Sequence, residues 1–284
     1  MIKSIINPNA LFSFRVAHGS VAKRTELTEQ LVEKIYNGIK DYNKESKLEY
    51  ITKDKFESII HSKLPENKNI IVRKMNKKDG EMYEAFSGYD FDEYDNVNGH
   101  IIELSFKHKH FPLHDTFIFV HEMIHVLDKM LNPKIITRMV NLNNGLYNFP
   151  KIGTLTDKYN NVYDSLYGDT YEKFSTEAER NKILAKHKEK IKRLIAKQPI
   201  KEKIDILQNM RYQLWLELHA FTIENKYIEI MGKTKNVDTS ELITKVELYM
   251  FEEKIKMIKE IAFKLIKKER IKHKNSLNIN SSVH

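Results

Sequence analysis

One segment constrains the fold of this chain more than any other: an apolar stretch, residues 116–131, that contains the sequence His-Glu-Met-Ile-His. Its composition predicts a buried helix, with Asp115 or Thr116 as the N-cap. Residues four apart share a helical face, so His121 and His125 point the same way. Polar groups on a buried helix need hydrogen-bond partners or a metal. The segment therefore predicts either a metal-binding helix or a pair of hydrogen-bonded core histidines, and the first interpretation is favoured.

The spacing of the two histidines also indicates a chemistry. Two imidazoles four residues apart can bind one Zn²⁺, and Glu122 between them can act as a general base toward a water held at the open coordination position. Zinc lowers the pKa of such a water toward neutrality. We therefore expect hydrolysis of a peptide bond, with a protein or peptide as the substrate.

A catalytic zinc needs a third protein ligand, and the position of that ligand distinguishes the classes of peptidase. The metzincin pattern requires Gly and His where this chain has Asp128 and Leu131, so that class is excluded. Glu217 is the strongest candidate, because it lies at the border of the apolar stripe of a later helix. A carboxylate there is costly unless it is paired or bound to a metal.

The two segments together resemble the gluzincin-type metallopeptidases found among bacterial effectors and toxins. The matching residues are the His-Glu-x-x-His motif, Glu217-Leu-His-Ala220, Glu224-Asn225, Tyr227 and Gly232. The resemblance implies zinc held by His121, His125 and Glu217, with Glu122 as the base. It also implies that Glu224 supports a ligand from outside the coordination sphere.

Other acidic residues compete with Glu217. The segment Thr176-Glu-Ala-Glu-Arg180 resembles the downstream glutamate motif of lethal-factor-like peptidases, which would make Glu177 or Glu179 the ligand. Asp128 matches the aspartate that follows the histidine motif in that family. The alternative interpretation of the segment is a capping box, with Thr176 as the N-cap.

Two further candidates lie in the sequence Asp164-Ser-Leu-Tyr-Gly168. Asp164 resembles the ligand of aspartate-ligated zincins, although those place it nearer the histidines. Tyr167 could stabilise the oxyanion of the tetrahedral intermediate through its hydroxyl. Most of the 14 tyrosines must be packing residues, and that alternative stays open for Tyr167.

Hydrophobic periodicity predicts a fold of class α+β, predominantly helical, with a zincin-like core, a small mixed sheet and long flanking helices. We expect helices over 26–42, 53–62, 176–197, 201–231 and 240–274, and strands over 69–75, 81–86 and 100–106. The first helix would bury Leu27, Leu31, Ile35 and Ile39. The second strand would pair with the first. The third would either resemble the sheet edge that binds extended substrate in zincins or be an ordinary strand of the sheet, and both interpretations stay open.

Three consecutive segments follow from this pattern: an N-terminal helical segment over 1–65, a zincin-like core over 66–232, and a basic C-terminal helix with a polar tail over 233–284. Within the core, residues 132–169 contain several Gly, Pro and Asn and predict long loops with short structured pieces. The tail, residues 276–284, is polar.

Composition narrows the functional classes. The chain has no cysteine, which excludes disulfides and a cysteine nucleophile and fits a reducing compartment. No apolar run approaches the length of a membrane span, and no signal peptide is evident. We therefore expect a cytoplasmic protein, a delivered effector or a virion-associated protein. The oligomeric state cannot be read from the sequence.

The formal net charge of +9 includes a dense block of lysines over residues 254–274. Nucleic acid is a conceivable partner for that block, but apolar residues at helical spacing favour a helix packed on the core with its basic face in water. A second alternative is a structural or assembly protein, for example in a virus particle, that keeps a zincin fold with specialised or lost activity.

Overall fold

The computed structural model describes residues 26, 30–35, 37–39, 41, 53–63, 70–76, 85–91, 97–105, 112–131, 153–168, 176–235 and 244–281. Within these ranges the chain is mostly helical and contains a small mixed sheet. The predicted class, α+β and predominantly helical, is confirmed.

The described residues between 26 and 41 are all helical, and the predicted residues Leu31, Ile35 and Ile39 are buried. Leu27 lies outside the described residues. The elements that follow are α1 (Lys53–Lys63), β1 (Ile70–Lys74), β2 (Ala85–Phe91), β3 (Val97–Leu104), α2 (Pro112–Leu131), α3 (Gly153–Gly168), α4 (Glu177–Ile195), α5 (Ile200–Lys235) and α6 (Lys245–Ser281).

The sheet has the order β1-β3-β2, with β1 parallel and β2 antiparallel to β3. Two predictions about it are wrong. The second strand pairs with β3 rather than with β1, because β3 lies between them. For the same reason the edge interpretation of the third strand is wrong and the alternative, an ordinary strand within the sheet, is confirmed: the backbone groups of β3 are used by a neighbour on each side. The alternation of side chains predicted strands, but their order in the sheet was not encoded locally.

The chain divides into two compact units, Met1–Ile136 with His219–Leu242, and Thr137–Leu218 with Ile243–His284. The division falls inside α5, which is one continuous helix. The segments 1–65, 66–232 and 233–284 describe order along the chain and stay a prediction.

The core of the first unit lies between the sheet and α2. Residues Ile70, Val72, Ile102 and Leu104 of the sheet are buried with the apolar residues of α2. Phe119 of α2 stacks on Phe56 of α1 with 4.2 Å between ring centroids. The helix begins at Pro112, earlier than predicted, and proline suits a first turn because its missing N–H would have no helical partner.

The second unit corrects the prediction of loops over 132–169. Residues 153–168 form the helix α3, whereas 132–152 and 169 lie outside the described residues. Its Tyr159 hydroxyl donates to Gln213 Oε1 of α5 at 2.9 Å. The spacing of Leu155, Tyr159 and Leu166 is compatible with a helix, but Gly, Asn and Asp in the segment masked that signal.

The basic helix α6 also differs from the prediction. It begins at Lys245, where Thr244 and Glu247 form reciprocal backbone hydrogen bonds of the capping-box type, and it continues into the predicted polar tail as far as Ser281. Lys254, the first lysine of the basic block, is fully buried, and its ammonium donates to the carbonyl of Leu166 near the end of α3. This lysine therefore stabilises a helix C-terminus instead of adding to a basic surface. None of the helices in the described ranges is long and apolar enough to cross a bilayer.

Truncation of Phe119 tests the first unit's core. Phe119→Ala should lower the free energy of unfolding by about 3 to 5 kcal/mol, because it removes a fully buried ring and leaves a cavity against Phe56. Phe263→Ala is the matched control, since that ring is 68% exposed and its loss should cost about 0.5 kcal/mol or less. Urea unfolding of both variants measures the difference, and equal losses would contradict the assigned core.

His100 should make stability depend on pH. Burial, with a smaller contribution from the charge of Lys129, lowers its pKa from 6.5 to about 3. Between pH 6.5 and about 3, His100 is protonated in the unfolded chain but neutral in the folded protein. The free energy of unfolding therefore has its full value above pH 6.5 and falls as the pH is lowered through this range. On acidification, the free energy of unfolding of the wild type should fall by up to about 1.4 kcal/mol per pH unit more than that of His100→Leu. Parallel pH profiles in urea unfolding would contradict this.

Candidate metal centre

Three predicted ligands come together in the structure. His121 and His125 lie one turn apart on α2, and Glu217 lies on α5. One ligand atom from each lies within 4.8 Å of the others, a group that could hold a metal ion. His125 is buried, whereas His121 and Glu217 are half-buried. The group thus contains two nitrogens and one carboxylate oxygen from two helices.

The two imidazoles converge on one point. Their Nε2 atoms lie 3.1 Å apart, and the rings meet edge to face with 4.7 Å between centroids. A tetrahedral zinc at its usual distance to nitrogen holds two ligand nitrogens about 3.3 Å apart. The observed separation is therefore close to what one zinc ion requires.

Glu217 completes the donor set by way of helix packing. Ala220 and Ile223, which follow it on α5, are buried in the same core as Met123 and Ile124 of α2. The separation of up to 4.8 Å exceeds the tetrahedral spacing by an amount that rotation about the glutamate side-chain bonds can close.

Glu224, which the family resemblance implied as a support, contacts a ligand directly. Its Oε2 lies 2.9 Å from Nδ1 of His121, and the two side chains are 14% and 11% exposed. An ionised carboxylate can only accept, so Nδ1 carries the proton and Nε2 presents its lone pair. Phe221 packs on the same imidazole at 4.5 Å between centroids. These contacts set the tautomer and the plane of His121 as a metal ligand requires.

A second contact between the same helices was not predicted from the sequence. His219 Nδ1 lies 2.6 Å from Oδ2 of Asp128, and both side chains are buried. In the sequence, Asp128 excludes the metzincin pattern and matches the lethal-factor-like motif, and neither observation gives it a partner. The available signal was an aspartate on an apolar helix, which needs a partner when it is buried.

The competing ligands do not join the group within the described residues. Glu179 forms the capping box with Thr176 at the start of α4: its carboxylate accepts from the Thr176 backbone N–H at 3.1 Å, and its own N–H donates back to the threonine hydroxyl. Glu177 and Asp164 are exposed. The alternative interpretation of the Thr176 segment is confirmed.

The two predicted catalytic residues lie on different helices. Glu122 is half-buried on α2 between the two histidines. Tyr167 lies in the last turn of α3, where its ring packs near Tyr163 and meets Phe251 of α6 edge to face at 6.0 Å. These ring contacts favour a packing role for Tyr167, and the catalytic roles of both residues stay predictions.

Neither the models of known protein families, nor the curated proteins, nor the solved structures include a match to this chain.

Loss of the Glu224 carboxylate should weaken metal binding. Glu224→Ala removes the acceptor that orients His121, and contacts of this kind are typically worth about 10- to 100-fold in metal affinity. Glu229→Ala is the matched control, because it removes an exposed glutamate from the same helix. Competition for Zn²⁺ against a chromophoric chelator measures both variants. Equal zinc affinities of Glu224→Ala and Glu229→Ala would contradict the supporting role of Glu224.

Proposed function

We propose that this protein is a zinc-dependent endopeptidase of the gluzincin type. The observation that carries the proposal is the convergence of the two Nε2 atoms on a point that Glu217 approaches from a second helix. Two imidazoles and one carboxylate form the donor set of the hydrolytic zinc sites with two histidines and a glutamate.

The chemistry of the donors fits zinc and disfavours the alkaline-earth ions. Imidazole binds Zn²⁺, Cu²⁺ and Fe²⁺ well, whereas Mg²⁺ and Ca²⁺ prefer oxygen ligands. The half-buried positions of His121 and Glu217 are compatible with an open fourth coordination position. Bound there, zinc would supply Lewis acidity, polarising the scissile carbonyl and lowering the pKa of water.

Side chains of the protein carry out proton transfer, ligand orientation and oxyanion stabilisation. Glu122 takes the proton of the attacking water and delivers it to the leaving nitrogen, which is the general acid and base role its position between the ligands suits. Glu224 accepts from Nδ1 of His121 and so leaves Nε2 of the neutral imidazole as the nitrogen that would bind the ion. Tyr167 remains the predicted oxyanion donor.

An extended peptide would bind along β2. β3 has partners on both sides, while β2 has β3 on one side only among the described strands. Lys129, one turn after His125, donates to the carbonyl and the hydroxyl of Ser87, so β2 is tied to the helix that carries the ligands. Addition of a strand to such an edge binds a peptide through its backbone and leaves side chains to set specificity.

Metal content and cleavage together test the proposal. Purified wild type should contain close to one zinc per chain by elemental analysis, and His121→Ala and Glu217→Ala should lose it, because each removes a ligand. Glu177→Ala, an exposed competitor, should retain it. Glu122→Gln should keep zinc but lose about 10²- to 10⁴-fold of the cleavage rate of a peptide library followed by mass spectrometry.

The possible results separate the proposal from its alternative. If Glu217→Ala retains zinc, a residue other than Glu217 is the third ligand. A zinc-loaded wild type that cleaves no peptide in a diverse library would favour the structural or assembly role over the peptidase.

A further inference from the structure

Asp128 and His219 form a buried contact beside the proposed metal site. Asp128 follows His125 by three residues on α2, and His219 follows Glu217 by two on α5. Nδ1 of His219 lies 2.6 Å from Oδ2 of Asp128, with the two side chains 8% and 4% exposed. Neither residue is a ligand, but each lies within one turn of one.

Burial and short distance make this contact strong and directional. A carboxylate accepts, so the imidazole donates through Nδ1, and hydrogen bonds to an ionised group are shorter and stronger than those between neutral groups. The low dielectric of the interior strengthens it further. A displacement of either helix would leave a buried carboxylate or imidazole without this partner, which is costly.

Two such contacts join the same pair of helices. His121 of α2 contacts Glu224 of α5, whereas Asp128, further along α2, contacts His219, earlier on α5. The reversed order means that the helices run in roughly opposite directions where they meet. A single contact would allow α5 to rotate about that point or to slide along α2. Two contacts at different positions along α2 restrict both movements.

We propose that Asp128 and His219 form a positioning pair that sets the distance of Glu217 from His121 and His125, so that metal affinity and coordination geometry depend on it. The proposal rests on the proposed function, because it takes this trio as the metal site. It assigns neither residue to direct contact with the metal or the substrate.

Packing alone does not account for the pair. Its neighbours Leu127 and Ala220 are fully buried apolar residues, and an apolar pair in place of Asp128 and His219 would fill the same interior. Replacing buried charged pairs by packed apolar residues is often neutral or stabilising, so such pairs contribute little to stability overall. An apolar pair would lack a directional hydrogen bond between the two helices. Such a bond fixes the position of α5 relative to α2, and Glu217 must be held at a fixed distance from the two histidines.

The experiment compares zinc affinity and the visible spectrum of bound Co²⁺ in the full chain. Asp128→Ala should weaken zinc binding by about 10- to 100-fold, the usual range for residues that orient metal ligands, and should change the Co²⁺ spectrum, which reports coordination geometry. Asp128→Asn should recover most of the affinity, because its amide oxygen still accepts from Nδ1. Tyr159→Phe is the matched control: it removes the part-buried hydrogen bond to Gln213 and the acceptor of the buried hydrogen bond from Asn209, both on α5, and should leave both readouts unchanged.

A folded Asp128→Ala protein with wild-type zinc affinity and an unchanged Co²⁺ spectrum would overturn the proposal. Should Asp128→Ala not fold, the double variant Asp128→Leu with His219→Leu leaves neither partner of the pair buried alone. Weakened zinc binding in that folded variant supports the proposal, and wild-type affinity overturns it.

Glu217→Gln separates this inference from the proposed function. A wild type that binds no zinc would overturn both proposals. A Glu217→Gln variant that binds zinc as well as wild type does would remove Glu217 from the site, which overturns the positioning pair and moves the third ligand elsewhere. Loss of zinc in Glu217→Gln together with unaffected Asp128 variants would overturn only the positioning pair.

Discussion

The burial of polar side chains on α2 is the constraint on which the site depends. This helix places its apolar face in the core with the sheet, yet it carries His125 and Asp128 into the interior. Buried groups of this kind require partners. α5 supplies a partner for Asp128 through His219, and its Glu224 contacts the half-buried His121 of α2, so the packing of the two helices also gives these polar side chains hydrogen-bond partners.

The sheet holds the other side of α2. Ile102 and Leu104 of the central strand are buried in the core shared with the helix, and Lys129 reaches from the helix to the Ser87 carbonyl of β2. The helix that carries the two candidate histidine ligands is therefore held by apolar packing along its length and by a hydrogen bond near its end. A rigid ligand helix suits a metal site, because coordination tolerates only small errors in ligand position.

Much of this arrangement was visible in the sequence where local patterns carry the information. Periodicity located α2, α4 and α5, and the spacing of His121 and His125 placed two candidate ligands on one helical face, since the helical period alone decides that geometry. Capping chemistry at Thr176 was also local and was anticipated. Glu217 was favoured because a carboxylate beside an apolar stripe is costly, and the structure brings it to the two histidines. Loop-like composition hid α3, because glycine and asparagine lower helix propensity without excluding a helix that packing stabilises.

The sequence by itself therefore determined most of the elements, though not α3, and the residue types that can bind metal, because helical and strand periods are properties of neighbouring residues. Only the tertiary structure decided which distant residues meet: that β3 lies between β1 and β2, that Lys254 is buried at the end of α3, and that His219 contacts Asp128. These outcomes depend on which arrangement satisfies buried polar groups and backbone hydrogen bonds at once. That is a condition on the whole chain, and no single segment contains it.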